Sequence, residues 1–489
     1  MRRPTSIDRR AYLVAMHAVI VVGGLWFRWP SMSYALTEAY TFRQTQTTLM
    51  IREYMAGGPF QLSPLPLFGP DWQVPMEFPL FQWLAALGGN VVGTSPQIAG
   101  RLTALAFFEI SAIIAAYLAY RWFSPAASLA TMILIQFLPF GYQWGNAPLI
   151  EFLATSGALA ALLCADLWTR RPRTVWAVLA TGAFLVSFLV KPTTALVWIP
   201  VYLGVSIEWT GTDFFRRNLR RWPLAVPLLV GALGAAAWTR LADSVKASNY
   251  YSSFLTSANL SEWNYGTIDQ RLDALRWEMI LGYSEAIFGS LLVFSALLLI
   301  AIYVWPRRAV TVGLALSLPL GPLVFFNLYY MHTYYQSAFY PALAIVMGAG
   351  IAGLIRLAVP LSAKWAVTGV ALTTVLGLAW ISAEGQSISQ RKVNGWYEFP
   401  LAAEMADNVP KGAGVVMVGC DWDPTYFYLS GLRGLMVRQE SMNSPIPPTW
   451  LGPRLQYLAK CDPAIDPAAL FPTGTRFEQV SPNVFRFAR

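Results

Sequence analysis

Four ionisable side chains at the ends of apolar segments are the residues most suited to chemistry: Glu38, Glu151, Lys191 and His332. A charged or titratable group beside hydrocarbon is costly, so each is by default a candidate for function. A carboxylate can accept a proton from an attacking hydroxyl group. A cation can stabilise negative charge that develops on a leaving group. Together, these residue types predict acid–base chemistry combined with the handling of an anion.

The segments that carry these groups are too apolar for a soluble protein. Of the 489 residues, 56% are hydrophobic and only 12% are charged. Soluble domains average about 25% charged residues. Two His and three Cys also exclude zinc-finger arrays, paired-His metalloprotease sites and disulfide-framework folds. The composition predicts a polytopic α-helical membrane protein.

The positive charge follows the predicted topology. The net charge of +9 is concentrated at every second junction between apolar segments, as the positive-inside rule requires of cytoplasmic loops. This distribution indicates membrane orientation and attraction to membrane lipids, and it argues against nucleic acid as a partner. It predicts a cytoplasmic N-terminus. The basic residues concerned are Arg2, Arg3, Arg9, Arg10, Arg121, Arg170, Arg171, Arg173, Arg216, Arg217, Arg220, Arg221, Arg307, Arg308, Arg356 and Lys364.

About eleven segments are long and apolar enough to cross a bilayer, since a span needs about 20 mostly apolar residues. We expect a membrane domain over 1–383 with long exterior loops at 30–96 and 241–284. We expect a soluble extracytoplasmic α/β domain over 384–489. The predicted spans are 11–29, 97–120, 125–141, 150–168, 174–190, 193–209, 222–240, 285–305, 309–330, 333–355 and 364–383.

Local patterns add detail to the exterior segments. The short apolar stretch 79–93 predicts a helix on or partly within the membrane surface. Thr267–Gln270 has the pattern of a capping box, and apolar residues then recur at helical spacing to Met279, which favours an interfacial amphipathic helix. In the C-terminal domain, Val415–Val418 predicts a buried strand. Cys420 and Cys461 share an oxidising compartment, where either a disulfide or two free thiols would be compatible with the sequence.

The candidate groups come from separate hairpins but fall at one depth on the exterior side. The first exterior loop adds Arg43, Gln44 and Glu77, and Tyr334 follows His332. Structural explanations also exist. A carboxylate at a helix N-terminus complements the helix dipole, a lysine beside lipid can extend to the headgroups, and a histidine among tyrosines can be an interfacial hydrogen-bonding residue. The prediction of a site rests on the convergence of the whole set.

The order of these motifs resembles that of a known family. The first exterior loop contains Thr37-Glu-Ala-Tyr-Thr-Phe-Arg-Gln-Thr-Gln-Thr47 and then Glu77-Phe-Pro-Leu80. Gly100-Arg-Leu102, a span opened by Glu151, a Lys191-Pro turn and the tyrosine-rich turn 329–335 follow in that order. Over roughly 30–355 this resembles the GT-C glycosyltransferases of the protein-mannosyltransferase and lipid A aminoarabinose-transferase type.

The resemblance implies an inverting transfer of a sugar from a polyprenyl-phosphate donor to a cell-envelope acceptor outside a bacterial cytoplasmic membrane. It implies Glu38 as general base and Glu151 as a second carboxylate that orients the acceptor or holds a divalent cation. Arg43, Lys191 and His332 are then candidates to bind the phosphate, and Gln44, Glu77 and Tyr334 are further candidates for substrate binding. Relatives have an acidic pair here, and Thr37 stands at the position that precedes Glu38. If Glu38 aligns with the second acid of that pair rather than with the catalytic first, Glu77 and Glu151 are the alternative bases.

Two other functions are compatible with the sequence. An oligosaccharide ligase also uses polyprenyl-linked donors, but it is expected to centre its chemistry on a long exterior loop, whereas His332 lies in a short turn. A transporter should place polar groups and broken helices near the bilayer midplane. The ionisable groups here collect near span ends, which favours the glycosyltransferase.

Overall fold

A computed structural model describes residues 6–210, 224–358, 388 and 398–488. The described residues form two compact units. The first is drawn from Met1–Ser33, Ala104–Ala237 and Ser261–Gln390, and the second from Tyr34–Thr103, Trp238–Leu260 and Arg391–Arg489. The second unit therefore combines the C-terminal residues with most of the first predicted exterior loop. The predicted boundary at 383/384 lies outside the described residues and stays a prediction.

Four helices in the described part of the chain are long and apolar enough to cross a membrane, and a bent pair makes a fifth. Four further apolar helices have 10–17 residues. The predicted span 364–383 lies outside the described residues, and the count of eleven stays a prediction. The long stretches are Ala11–Ser33, Pro96–Trp122, Glu151–Arg170 and Tyr340–Ala358; the bent pair is Ala274–Phe288 with Leu291–Val304; the shorter helices are Leu80–Val92, Pro125–Phe137, Thr174–Val190 and Arg308–Val324.

Several predicted spans are divided into two helices, and the divisions have local causes. Leu138, inside the predicted span 125–141, has an extended backbone at ψ 143° and precedes a proline. Lys191, between the predicted spans 174–190 and 193–209, is also extended, at ψ 90°, before a proline. Proline disfavours the helical conformation in the residue before it. The α-helix that overlaps the first long stretch is Ser6–Arg28. The remaining described α-helices of six or more residues are Thr41–Met55, Pro139–Trp144, Pro192–Val197, Ile199–Thr210, Val226–Ala247, Phe326–Met331, Pro400–Asn408 and Thr425–Ser430.

The capping box is present, but the amphipathic helix is not continuous. Thr267 accepts a hydrogen bond from the Gln270 N–H, and the Gln270 side chain accepts one from the Thr267 N–H. The helix then ends at Leu272, and Asp273 caps a new helix, Ala274–Phe288, by accepting from the Leu275 N–H. The prediction of one helix was wrong because Asp273 takes an extended conformation to cap the second.

The C-terminal residues form a five-stranded sheet in the second unit. Its order is β2-β1-β3-β5-β4, with β1 parallel to β2 and β3, and β5 antiparallel to β3 and β4. The central strand β1 is buried along its whole length, as the run of valines predicts. The strands are Gly414–Val418 (β1), Arg433–Val437 (β2), Tyr457–Lys460 (β3), Arg476–Ser481 (β4) and Val484–Ala488 (β5).

A disulfide joins the residues that follow the carboxyl ends of β1 and β3, two neighbouring parallel strands of this sheet. Cys420 follows β1 and Cys461 follows the parallel neighbour β3, with 5.6 Å between their Cα atoms. That separation suits a disulfide. Of the two alternatives compatible with the sequence, the structure has the disulfide. The third cysteine, Cys164, is a free thiol in the helix Glu151–Arg170.

Part of the first predicted exterior loop completes the edge of this sheet. Phe68 pairs with Leu435 of β2, and the Met436 N–H donates to the Leu67 carbonyl at 2.8 Å. The Gly434 N–H also donates to the Pro66 carbonyl at 3.1 Å. The loop therefore satisfies the hydrogen-bonding groups that an edge strand would otherwise leave open.

Candidate functional site

Lys191 and Glu151 lie at the same end of a helical hairpin in the first unit. Glu151 begins the helix Glu151–Arg170, and Lys191 follows the antiparallel helix Thr174–Val190. The Lys191 Nζ donates a hydrogen bond to the Glu151 Oε1, and both side chains are less than one-tenth exposed. Each charge complements the dipole of the helix that carries it. The hairpin therefore positions a buried ion pair.

Aromatic rings surround the lysine. Its Nζ lies 3.7 Å from the ring centroid of Tyr335 and 5.4 Å from that of Tyr334. The His332 ring stacks on Tyr335 with centroids 5.6 Å apart and lies 5.2 Å from Tyr334. We call these five residues, Glu151, Lys191, His332, Tyr334 and Tyr335, the Lys191 cluster. It brings together four of the residues that the sequence predicts.

The second oxygen of Glu151 is available to a ligand. Its Oε2 is buried and has no hydrogen-bond partner among the described residues. The hydroxyl of buried Tyr329 likewise lacks one in this part of the chain. Buried polar atoms are nearly always paired, by protein or by water, so such atoms need an explanation. A polar ligand beside the Lys191 cluster would supply it.

In the second unit, Glu38 forms a buried ion pair with Arg101. The Arg101 Nη2 lies 3.0 Å from the Glu38 Oε1 and 3.1 Å from the Tyr34 carbonyl oxygen, to which it also donates. Arg101 is on the helix Pro96–Trp122, and Glu38 is in the bend before the helix Thr41–Met55. The pairing of Arg101 with Glu38 was not predicted from the sequence.

Arg43 and Glu77 form a second ion pair in the same unit, at 2.8 Å. Arg43 also donates to the Gln46 Oε1 at 2.7 Å, and Gln82 donates to the Glu77 Oε1 at 2.6 Å. These four residues make a chain of hydrogen bonds. The Gln46 Nε2 and the Gln82 Oε1 at its ends are buried and have no partner within the described ranges.

The charge and the hydrogen bonds around Glu77 keep its carboxylate ionised. Burial by itself would raise the pKa of Glu77, but the positive charge of Arg43 and the hydrogen bonds from Arg43 and Gln82 outweigh it. The pKa of Glu77 is therefore held below its ordinary value. Glu77 is consequently an acceptor of hydrogen bonds at neutral pH and a weak base.

Gln44 is buried close to the start of the helix Thr41–Met55. Its Nε2 donates to the Ala39 carbonyl at 2.9 Å, and its Oε1 has no partner in the described structure. Tyr40, which precedes the helix, has a left-handed backbone with φ 55°. The Gln44 bond to Ala39 therefore helps to fix the bend that carries Glu38.

Sequence reasoning missed one buried cation. Arg28, at the end of the first long helix, is fully buried and donates to the carbonyl of Gly141 at 3.1 Å and to the Gln136 Oε1 at 2.8 Å. Gln136 in turn donates to Glu109 at 2.6 Å. An arginine within a run of tryptophans and apolar residues was the available signal. Its partners are all internal, which indicates a role in holding helices together.

The far end of the Lys191 hairpin carries a separate charge cluster. Asp166 accepts from Arg121 at 2.6 Å and from the Trp122 indole N–H at 3.2 Å. Asp166 thereby links the helix Glu151–Arg170 to the end of the helix Pro96–Trp122. Glu151 and Asp166 are fifteen positions apart on one helix, or roughly 22 Å at 1.5 Å per residue. The two charge clusters therefore mark opposite ends of one span.

The described residues do not form an obvious metal site. No group of three or more His, Cys, Asp or Glu side chains in the described ranges could hold a metal ion. Glu151 instead has a lysine as its partner. The donor set does not fit a divalent cation there, and no step below uses one.

The chain has the GT-C fold, which it shares with the following solved structures. ArnT from Cupriavidus metallidurans bound to undecaprenyl phosphate is similar over 99% of this chain and 98% of that one, at 16% identity and a TM-score of 0.62. The apo oligosaccharyltransferase of Archaeoglobus fulgidus is similar over 92% of this chain and 69% of that one, at 12% identity and a TM-score of 0.58.

No protein-family model matches the sequence, and no curated protein is similar to it at the sequence level. The structural likeness nevertheless covers nearly the whole chain. It confirms the predicted fold class, a membrane-embedded helical protein with a small C-terminal sheet unit, and the predicted resemblance. The roles of the individual site residues stay predictions, as does the meeting of Glu38 with the Lys191 cluster.

Proposed function

We propose that this protein is a membrane glycosyltransferase that transfers a sugar from a polyprenyl-phosphate donor to a hydroxyl group of a cell-envelope acceptor. One observation carries the proposal. The fold agrees over 99% of the chain with that of a protein solved with undecaprenyl phosphate bound. A donor with a long apolar tail also explains why an enzyme for a polar sugar is embedded in a bilayer.

The proposed reaction is a single displacement at the anomeric carbon. The acceptor oxygen attacks that carbon from the face opposite the phosphate, and the bond between the anomeric carbon and the phosphate oxygen breaks. The hydroxyl proton passes to a carboxylate, and polyprenyl phosphate leaves with the bonding electron pair. The sugar therefore inverts its configuration. The protein must supply a base for the proton and positive charge for the departing phosphate.

Lys191 is the proposed partner of the departing phosphate. Its ammonium group is buried, paired with Glu151 and placed over the ring of Tyr335. Such a charge needs no reorganisation when negative charge develops beside it, which is the main source of electrostatic catalysis. His332 and Tyr334 line the same cluster and are proposed to position the phosphate. Arg43 is the alternative cation, although Glu77 already holds it.

Glu38 is the proposed general base, with Glu151 orienting the acceptor. Glu77 is the weaker candidate for the base because its depressed pKa lowers its affinity for a proton. Glu151 binds Lys191 through one oxygen and leaves the buried Oε2 to accept a hydrogen bond. Glu77 is proposed to bind sugar hydroxyls rather than to take the proton. Gln44, which adjoins Arg43 in the sequence, is proposed to do the same.

The proposed location is a bacterial cytoplasmic membrane, with the N-terminus in the cytoplasm and the C-terminal sheet outside. The basic clusters support this orientation. The disulfide between Cys420 and Cys461 supports it independently, because disulfides persist in oxidising compartments such as the periplasm. The reaction would then take place on the outer face.

An oligosaccharide ligase is the second candidate. The observation that favours it is the likeness to the oligosaccharyltransferase of Archaeoglobus fulgidus, of which this chain covers 69%. The two candidates differ in the donor, which is a single sugar on a monophosphate for the first and a preassembled oligosaccharide for the second. A transfer assay with each kind of donor separates them.

The test is transfer in membranes that contain Glu38→Gln or Glu151→Gln and are supplied with undecaprenyl-phosphate sugars. Loss of a general base costs about 10²–10⁴-fold in rate, so we expect a decrease of that size for Glu38→Gln. Glu440→Gln is the matched control, since its carboxylate is 70% exposed in the second unit. Undiminished transfer by both site variants would refute the assigned roles.

A further inference from the structure

The second unit contains a cavity that none of the proposed catalytic groups lines. Its volume is about 620 Å³, and three chain segments form its wall: 68–74, 245–251 and 444–450. All three belong to the same compact unit. Pockets of about 300–1,000 Å³ are the usual size for small-molecule binding. The cavity is therefore a candidate binding site in its own right.

One wall of the cavity is aromatic, and its rings are held in place. Trp450 packs against Gly69, where a Cβ would collide with the indole ring and where φ is +92°. The Tyr251 ring lies 6.3 Å from that of Trp450, and its hydroxyl donates to the Ser444 carbonyl at 2.7 Å. Tyr250 adjoins Tyr251, and 56% of its surface is exposed. The cavity thus offers rigid ring surfaces to a ligand.

The opposite rim is polar and lies on the loop that completes the sheet edge. Asp71 is 74% exposed and pairs with Arg454 at 3.2 Å, and Gln73 lines the cavity beside it. Asp71 and Trp72 have positive φ values of 81° and 51° without being glycine. Such backbone strain persists where a loop is held in one conformation, and it is common at binding sites.

We propose that this cavity binds a neutral glycan of roughly one to two sugar rings, a size suited to a pocket of this class. A pyranose has an apolar face of C–H groups, which can stack on Trp450 and Tyr250. Its hydroxyls are donors, and the Asp71 carboxylate is an acceptor. Asp71 is already paired with Arg454, and no other charged residue among the described ones lines the cavity, so the site suits an uncharged sugar.

A proline-rich peptide is the other ligand that aromatic cavities accept. Its exposed backbone groups are carbonyl acceptors, so it needs donors from the protein. The Tyr251 hydroxyl and the Asn249 amide are both already bonded, to Ser444 and to the Phe68 carbonyl at 2.9 Å. The Asp71 carboxylate can accept from ligand hydroxyl groups, which a polyproline backbone lacks, and this favours the glycan. The role of the cavity as an acceptor-glycan subsite depends on the proposed function, whereas sugar binding itself does not.

The experiment is ligand-observed saturation-transfer NMR on the full chain in nanodiscs, without any lipid-linked donor. The probes are methyl glycosides of glucose, galactose, mannose and N-acetylglucosamine, with glucuronic acid and a decaproline peptide as competitors for the assignment. We expect saturation of at least one neutral glycoside. We expect Trp450→Ala to weaken it at least about tenfold, as truncation of an aromatic anchor does. We expect Phe477→Ala, on exposed β4, to leave it unchanged.

Tyr250→Ala guards against a folding failure of Trp450→Ala, because 56% of the Tyr250 surface is exposed and its ring contact is with Tyr251. It is expected to weaken binding, and Tyr250→Phe to retain it. The proposal would be overturned if only the peptide or only glucuronic acid were saturated, or if no probe were. Equal saturation of the glycosides in wild type and all variants would also overturn it. Because no donor is present, sugar binding can fail while transfer succeeds, and the reverse can also occur.

Discussion

At the scale of single residues, the arrangement of ion pairs separates two kinds of carboxylate. Glu77 is saturated by Arg43 and Gln82, whereas Glu151 keeps one buried oxygen without a partner in the described structure. Glu77 is therefore suited to carry a permanent negative charge, and Glu151 is suited to transient contact with a ligand. The types of these residues were readable from the sequence. Their partners were not, because Glu77 follows Arg43 by 34 positions and no local pattern links them.

Lys191→Gln should reduce transfer about 10²–10³-fold, the usual cost of removing one group that stabilises transition-state charge. Lys191→Arg should retain part of the activity, since it keeps the charge. Lys411→Gln, on an exposed lysine, is the control. The measurement is the initial rate against the concentration of undecaprenyl-phosphate sugar.

A structural effect of Lys191→Gln can be distinguished from loss of chemistry. Breaking a buried pair leaves Glu151 uncompensated, at a cost of about 3–5 kcal/mol in stability. The double variant Lys191→Gln with Glu151→Gln should recover thermal stability without recovering transfer. Recovery of both would show that the lysine serves the fold alone.

Glu77→Gln should destabilise the protein most above pH 4.5, the ordinary carboxyl pKa. The folded-state pKa of Glu77 is depressed, so its contribution to stability is present above that value and disappears as the pH falls through the folded-state pKa. Thermal unfolding followed by tryptophan fluorescence from pH 7 to pH 3 measures this. The melting temperatures of wild type and variant should converge toward acid pH; a constant difference would contradict the assigned ion pair.

At the scale of elements, hydrophobic periodicity predicted where helices lie but not where they break. The helices Glu151–Arg170 and Thr174–Val190 follow their windows closely, and their antiparallel order alone places Glu151 near Lys191. The break before Pro139 falls inside the single window 125–141 and depends on backbone conformation, which apolar windows do not report. The break before Pro192 falls in the gap between two windows. The docking of residues 66–69 on β2 was also unpredictable, because it pairs segments more than 360 positions apart.

The disulfide is expected to stabilise the C-terminal sheet. Replacement of Cys420 and Cys461 by serine opens a loop with a sequence separation of 41. Loop-closure entropy then predicts a loss of about 4 kcal/mol. Thermal unfolding of the full chain is the measurement, with Cys164→Ser as the control because Cys164 is a free thiol. Equal melting temperatures for the double variant and wild type would show that the bond does not stabilise the fold.

At the scale of the whole molecule, composition and charge carried most of the information. The apolar content and the spacing of basic residues predicted a membrane-embedded helical protein with a small C-terminal sheet unit, and the GT-C fold confirms it. The composition of the second unit was not predicted, since it combines residues 34–103 and 238–260 with the C-terminal part of the chain. Only long-range contacts, which hydropathy does not encode, define such a unit.

The proposed orientation predicts opposite locations for two positions of the chain. Alkaline phosphatase fused after residue 488 should be active, whereas a fluorescent protein fused there should not fluoresce. At Pro172 we expect the reverse result for the two reporters. The positive-inside rule places the basic turn 170–173 in the cytoplasm. Reporter activity in the opposite pattern would reverse the topology and remove the donor phosphate from the proposed side.

The central claim is that this protein consumes a polyprenyl-phosphate sugar. Mass spectrometry of lipids and envelope glycans from cells with and without the protein tests it most directly. We predict that one polyprenyl-phosphate sugar accumulates in cells that lack the protein, while one sugar substituent disappears from an envelope glycan, lipid or protein. Unchanged levels of every polyprenyl-phosphate sugar and of every envelope sugar would contradict the account.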